Sequence, residues 1–300
     1  MAKKPRAAGG PAATVGSLLD RAASRLAKAR LHYGHGTDNA RDDAAALVFH
    51  ALSLAHQAAP ASYRLPVSAR DAARVDALLE RRIRERLPSA YLTGVSWFGG
   101  HEIRVTPDVL VPRSPIAELC LAGFAPWIDP ARIRRVLDIG TGSGCIAIAA
   151  AHALPRARVD ATDVSAGARA VARDNVKRHR LGRRVRVVDA DVYDGLGARR
   201  YDVIVSNPPY VPAAEMRRLP REHRAEPAMS LCAPRQGLAI VERIVAGAGR
   251  HLTREGILVV EVGNSAARAR RRFRDLPLVW LEFEHGFSEI FLLRAADLPG

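Results

Sequence analysis

Long apolar runs are missing from this chain of 300 residues. None approaches the roughly 20 consecutive apolar residues that a membrane helix needs, and the opening MAKKPRAAGGPAAT has no apolar stretch behind its basic residues. The expectation is a soluble, cytoplasmic protein with no membrane partner. Cysteine is scarce too. Cys120, Cys145 and Cys232 lie far apart, with neither the CxxC spacing of a zinc site nor the density of a disulfide scaffold. No metal is expected. Aromatic residues make up 5%, too few for the stacked platforms that hold single-stranded nucleic acid. Acidic residues are also in deficit, 31 against 46 Lys and Arg, which leaves a formal charge of +15. Clustered cations gain affinity for polyanions by releasing counterions, so an RNA-containing partner is one reading. The other is a GC-rich coding bias, because nearly all the basic residues are arginine in an alanine-rich chain.

What is present is 48% hydrophobic content, enough for one sizeable α/β core and a smaller companion domain. Residues 1–13 mix Lys, Arg, Gly and Pro without periodicity and read as a disordered basic arm. Residues 14–90 read as a helical domain. Leu18, Leu19, Ala22, Leu26 and Ala29 recur at three- and four-residue steps, as do Ala45, Leu47, Val48, Ala51, Leu52 and Ala55, and then Val75, Leu78, Leu79, Arg82 and Ile83. No catalytic motif falls among them, which suits substrate presentation. Pro88 closes this part, and residues 91–111 alternate apolar and polar around Gly99 and Gly100, predicting a β-hairpin connector.

Residues 112–300 alternate strands and helices. Strands are predicted at Arg135 to Ile139, Arg158 to Asp163, Val185 to Ala190, Tyr201 to Ser206, Gly256 to Val262, Leu278 to Phe283 and Glu289 to Leu293. Helices fall between them, one from Cys145 to Leu154 and one capped by Ser165 and running to about His179. Such alternation implies an α/β fold with a mostly parallel sheet, whose ligands bind beyond the carboxyl ends of the strands.

Three motifs fall at those ends. Asp138-Ile-Gly140-Thr141-Gly142-Ser-Gly144 joins a strand to a helix, where glycines let the backbone turn sharply and free amides face a ligand. Its spacing is GxGxG led by an acidic residue, and Cys145 stands where a dinucleotide fingerprint needs glycine. That favours S-adenosylmethionine, whose ammonium wants a carboxylate such as Asp138. Asp163 ends the next strand, placed for ribose hydroxyls, and Asp191 follows the third, placed for an adenine edge. The most specific motif is Asn207-Pro208-Pro209-Tyr210. A planar nitrogen conjugated to a carbonyl or ring is a poor nucleophile, and the barrier of about 18–20 kcal/mol to peptide C–N rotation measures the resonance at stake. A site that methylates such a nitrogen must grip both N–H groups while the sulfonium methyl sits in line. The Asn207 amide oxygen and a proline-locked backbone carbonyl supply the acceptors, and the Tyr210 ring can lie beside the substrate and the cationic donor. The motif holds no strong base, so the proton should leave to water after transfer.

These residues resemble the seven-strand S-adenosylmethionine methyltransferases, and within them the HemK-like protein glutamine methyltransferases, over nearly the whole chain after the basic arm. The resemblance implies a seven-stranded Rossmann-like class I methyltransferase domain, mostly parallel with an antiparallel last strand, behind a small N-terminal helical bundle. It also implies that Asn207 to Tyr210 bind a glutamine amide. Val111-Pro-Arg-Ser-Pro-Ile-Ala-Glu-Leu119 looks like the PrmB branch, which modifies the third protein of the large ribosomal subunit, where the release-factor branch reads PRPETE. Leu219-Pro-Arg-Glu-His-Arg-Ala-Glu-Pro227, Glu261-Val-Gly-Asn-Ser265 and Trp280-Leu-Glu-Phe283 match that branch as well. Departures are the His285 to Glu289 stretch, which lacks paired glycines, the Trp97-Phe-Gly-Gly-His101 connector, where relatives often carry a Cys, and the long arm.

The resemblance thus implies methyl transfer to the side-chain amide nitrogen, N5, of a glutamine in a large-subunit ribosomal protein. Two alternatives are a release-factor glutamine methyltransferase and a nucleic acid adenine N6 or guanine N2 methyltransferase that flips its base. Low aromatic content argues against the second. Because a ribosomal protein is itself basic, a chain at +15 should prefer its substrate within an RNA-containing assembly intermediate, helped by Arg217, Arg218, Arg221 and Arg224. Arg113 either contacts substrate or pins the connector.

Overall fold

The computed structural model describes residues 13–55, 60–284 and 289–298. The expected basic arm falls outside them except for Ala13, as does most of the His285 to Glu289 stretch. Two compact units meet in sequence between Thr93 and Gly94. No helix among the described residues is long and apolar enough to cross a membrane.

The first unit comprises α1 (Val15–Lys28), α2 (Ala40–Ala51), α3 (Ala69–Glu85) and α4 (Ser89–Thr93). The first three begin on side-chain caps: Thr14 with Ser17 in a reciprocal box, Asn39, and Ser68. Each cap satisfies amides that the helix leaves unpaired, a contribution of about 1 kcal/mol. Leu18, Leu19 and Leu26 of α1 pack with Leu47 and Val48 of α2 and with Val75 and Leu79 of α3. Arg82 shares the buried stripe of α3 because Asp43 meets it at 2.7 Å, both side chains at most 2% exposed. Its Nη2 donates to the His32 carbonyl at 3.0 Å.

The second unit opens with the hairpin β1 (Val95–Phe98) and β2 (His101–Arg104), paired antiparallel, and continues through α5 (Ile116–Leu121). The hairpin is shorter than its predicted span. Tyr91 and Leu92 are helical, since their amides donate to the Pro88 carbonyl. Alternation follows: β3 (Arg135–Ile139), α6 (Cys145–Ala153), β4 (Arg158–Asp163), α7 (Ala166–Arg178), β5 (Val185–Asp189) and β6 (Tyr201–Ser206). Short pieces come next, namely β7 (Val211–Pro212), α8 (Ala213–Met216), α9 (Ala228–Leu231), β8 (Cys232–Ala233) and α10 (Pro234–Gly237). The chain ends in α11 (Ala239–His251), β9 (Leu252–Glu261), α12 (Ala266–Arg272), β10 (Val279–Leu281) and β11 (Ile290–Arg294).

Seven strands form one sheet in the order β10-β11-β9-β6-β3-β4-β5. In this sheet β11 pairs antiparallel with both β10 and β9, and every other neighbouring pair is parallel. The central strands are apolar in succession, as burial on both faces requires. Val136, Leu137, Val203, Ile204, Val205, Leu258, Val259 and Val260 are all fully buried. This is the expected class: an α/β sheet, mostly parallel, with one antiparallel strand near its end and helices preceding it. Since β3 lies between β4 and β6, the chain leaves it on one side and returns on the other. A crevice for ligands opens at such a reversal.

Candidate active site

The carboxyl ends of β3, β4, β5 and β6 open onto a cleft of about 370 Å³, within the range of small-ligand sites. Its floor is the glycine turn between β3 and α6. Gly140, Gly142 and Gly144 have φ of 70°, 54° and 83°, a left-handed conformation that glycine adopts without strain. At Gly144 space is limiting as well, because a Cβ would sit 3.4 Å from that of Ala172 on α7.

Asp138 anchors this turn from beneath. Fully buried, it accepts at Oδ2 from the Thr141 hydroxyl at 2.5 Å and the Ala147 amide at 3.1 Å. Among the described residues its Oδ1 has no hydrogen-bond partner. Removal from water pushes its carboxyl up to about 7, against the lowering effect of those two donors. Asp138 is not among the residues lining the cleft, whereas Gly140, Thr141 and Gly142 are.

Asp163 ends β4 and lines the cleft. Its Oδ2 accepts from the Gly142 amide at 2.9 Å and its Oδ1 from the Ser165 amide at 2.8 Å. Burial raises its pKa, and the Ser165 and Gly142 amides act in the opposite sense. One bond per oxygen leaves acceptor capacity toward the cleft. Asp191 lies beyond β5, exposed at the rim, and accepts from Arg243 at 2.8 Å.

Asn207 follows β6, whose end is tied to β3 by the Ser206 hydroxyl donating to the Ile139 carbonyl at 2.7 Å. Asn207 and Pro209 line the cleft. Among the described residues no hydrogen bond engages the Asn207 side chain. Pro208 and Tyr210 stand behind the lining. The Tyr210 hydroxyl donates to Glu261 at 3.1 Å, and its carbonyl accepts from the Ser265 hydroxyl at 2.8 Å. Glycines press on it from two sides. A Cβ at Gly263 would lie 2.6 Å from the Tyr210 ring, and one at Gly237 would lie 2.1 Å from its carbonyl oxygen.

Glu261 was singled out in sequence only as part of a family match. It ends β9, 2% exposed, and also accepts from the Ser114 hydroxyl, so one carboxylate joins the segment just after the connector to Tyr210. The available signal was an acid closing the apolar run Gly256 to Glu261, as Asp138 and Asp163 sit at or next to the ends of theirs. Arg113 lines the cleft, and both of its terminal nitrogens meet Glu226, at 2.5 and 2.8 Å. Glu226 also accepts from the Val111 amide at 3.1 Å. The Arg113 guanidinium therefore pins the connector to the segment before α9. Arg217, Arg218, Arg221 and Arg224 lie exposed between α8 and α9.

Comparison with known proteins accords with this geometry. The model of the methyltransferase small domain family matches residues 124–219, and that of the PrmC N-terminal domain matches residues 17–94. The chain is 45% identical to a ribosomal protein uL3 glutamine methyltransferase of Bordetella pertussis, over 95% of this chain and 96% of the relative. It is 43% identical to a protein of the same name from Burkholderia pseudomallei, over 96% and 97%. Among solved structures, the catalytic domain of hMettl16 in complex with MAT2A 3′UTR hairpin 1 shares the fold, with a TM-score of 0.51 and 19% identity over 77% of this chain and 82% of that one.

Proposed function

Since the chain belongs to the family of ribosomal protein uL3 glutamine methyltransferases, we propose that it methylates N5 of a glutamine side chain in uL3, with S-adenosylmethionine as donor. The observation that carries the reading is the uncommitted Asn207 side chain, placed at the end of β6 beside a glycine turn and Asp163 in one cleft. The donor's demands fit these residues. Its ammonium suits the partnerless Asp138 Oδ1, its ribose hydroxyls suit the spare lone pairs of Asp163, and its carboxylate suits the amides of the Gly140 to Gly144 turn. Asp191 is the candidate for the adenine edge.

Bound S-adenosylmethionine supplies an electrophilic methyl group on a sulfonium. Asn207 accepts one N–H of the glutamine amide through its side-chain oxygen, and the Pro208 region accepts the other through a backbone carbonyl that proline holds rigid. Together they draw the nitrogen lone pair out of conjugation and aim it at the methyl carbon. That nitrogen would take the methyl carbon from the donor's sulfur, and the excess proton would leave to water. Tyr210 holds the loop in register through Glu261 and Ser265. The first unit serves as the substrate-presenting domain, and Arg113 positions the connector.

A ribosomal protein is basic, and like charge repels. The preferred form of the substrate is therefore an RNA-containing assembly intermediate in the cytoplasm. Mass spectrometry of uL3 incubated with enzyme and donor tests the whole reading. It should gain about 14 Da on one glutamine with the native chain and nothing with Asn207→Ala; a modification elsewhere, or full turnover by the variant, overturns it.

A further inference from the structure

At the opposite end of the sheet from the cleft lies a second groove, of about 860 Å³. The amino-terminal ends of β3, β4, β5 and β6 line one wall, bringing Arg135, Arg158, Arg186 and Arg199. The last turns of α7 and the turn after it form the other, bringing Arg173, Lys177, Arg180, Arg183 and Arg184. Nine of its sixteen lining residues are basic and one, Asp160, is acidic, a net +8 within a chain of +15. A coding bias toward arginine spreads charge along the sequence. At 46 basic residues in 300, sixteen positions would hold two or three.

The charge is also uncommitted. Arg186 pairs with Asp160 at 3.0 Å, and Arg184 donates to the Ala151 and Leu154 carbonyls. Among the described residues no ion pair or hydrogen bond engages the side chain of Arg135, Arg158, Arg173, Lys177, Arg180, Arg183 or Arg199. Six of the seven are arginines on two facing walls, a geometry suited to forked contacts with phosphate oxygens. The groove's sole aromatic is Tyr201, 1% exposed and tied through its hydroxyl to Asp160 at 2.8 Å, so no ring is offered for stacking bases.

We propose that this groove binds the phosphate backbone of double-stranded RNA. Guanidiniums without stacking rings fit a helical backbone and not splayed-out bases. The strands between the two ends are five or six residues long, which sets the groove roughly 16–20 Å from the cleft. RNA seated there leaves the cleft open to a glutamine. The choice of RNA over other polyanions rests on the uL3 reading; the groove itself does not.

Fluorescence anisotropy with a labelled 20-base-pair RNA duplex tests the proposal without turnover. The native chain should bind with an affinity that falls steeply with salt, and the triple variant Arg158→Glu, Arg180→Glu, Arg183→Glu should lose at least tenfold and flatten the log–log slope by about 3. The same variant should bind S-adenosylhomocysteine as the native chain does and methylate free uL3 undiminished. Unchanged RNA affinity in the triple variant overturns the proposal, as does a loss of binding in Arg217→Glu, Arg218→Glu, Arg221→Glu instead. Competition by polyglutamate as effective as by RNA assigns the groove to an acidic polypeptide and also overturns it. RNA binding by a chain that fails to methylate uL3 upholds the groove and sinks only the catalytic reading.

Discussion

Asp138 gives the most demanding prediction because its two oxygens stand in different circumstances. One is satisfied by Thr141 and Ala147, the other is buried with no partner, and the carboxyl is pushed up to about 7. A bound ammonium facing that oxygen favours the charged form, so donor binding should release the proton. Affinity then follows the deprotonated fraction. Relative to pH 8, S-adenosylhomocysteine should bind about 10-fold more weakly at pH 6 and about 100-fold more weakly at pH 5. Stability of the free protein runs the other way. Between about pH 4 and pH 7 the folded state holds the proton and the unfolded state does not, so stability falls as pH rises through that window, by about 4 kcal/mol at most. Titration calorimetry across this range checks the first effect, and urea midpoints check the second. Asp138→Asn keeps an acceptor for Thr141 and Ala147 while removing the charge. It should bind about 10- to 100-fold more weakly at pH 8, the worth of a charge-assisted hydrogen bond, and its pH profile should be flat. Any titration of the ligand itself appears in both proteins. A native profile as flat as that of the variant refutes the placement of the ammonium on Asp138.

Asn207→Ala should lower kcat by about 10²- to 10³-fold, as loss of a preorganised polar group at a reacting atom does, read by methyl incorporation under saturating donor. Asp163→Asn should weaken S-adenosylhomocysteine binding by about one to two decades in calorimetry, because its hydrogen bonds to hydroxyls lose their charge. Arg113→Ala removes one cationic partner of the buried Glu226 carboxylate and should destabilise the second unit in urea, by up to about 3–5 kcal/mol. The double change Arg113→Met, Glu226→Leu should recover most of that loss.

The parts of this fold legible in the sequence are those set by neighbours in the chain. Apolar runs bounded by Gly and Pro located all seven strands to within a few residues, and the acid-led GxGxG spacing located the turn, because positive φ leaves few substitutes for glycine. What stayed hidden was pairing across distance. Arg82 was visible on its apolar stripe, but nothing local named Asp43, 39 positions away, as the partner that permits its burial. Arg113 and Glu226 are separated by 113 positions, and Ser114 and Glu261 by 147. Tyr210 shows the same limit. Its place beside Asn207 suggested a ring in the cleft, whereas Gly237, Gly263 and Ser265, all distant in sequence, fix where it packs.

Three acids at three successive strand ends look alike in sequence, yet their surroundings divide the work of holding one donor. Asp138, buried with one oxygen unpaired, suits a cation, since only a positive partner offsets the cost of charging it there. Asp163, with one backbone amide on each oxygen offsetting part of the cost of its burial, suits neutral hydroxyls, whose donors fill its remaining lone pairs. Asp191, exposed and shared with Arg243, has its charge largely answered by solvent and guanidinium, so it suits a weak contact at the rim. The order of burial, from first strand to third, runs from the charged end of S-adenosylmethionine to its adenine. Selectivity for that ligand over a dinucleotide then follows from electrostatics: a pyrophosphate on this turn would face the Asp138 and Asp163 carboxylates. NAD should accordingly fail to compete with S-adenosylhomocysteine even at about 1,000-fold excess, since like charges at a buried site cost several kcal/mol. Competition at equimolar NAD would refute this division of roles.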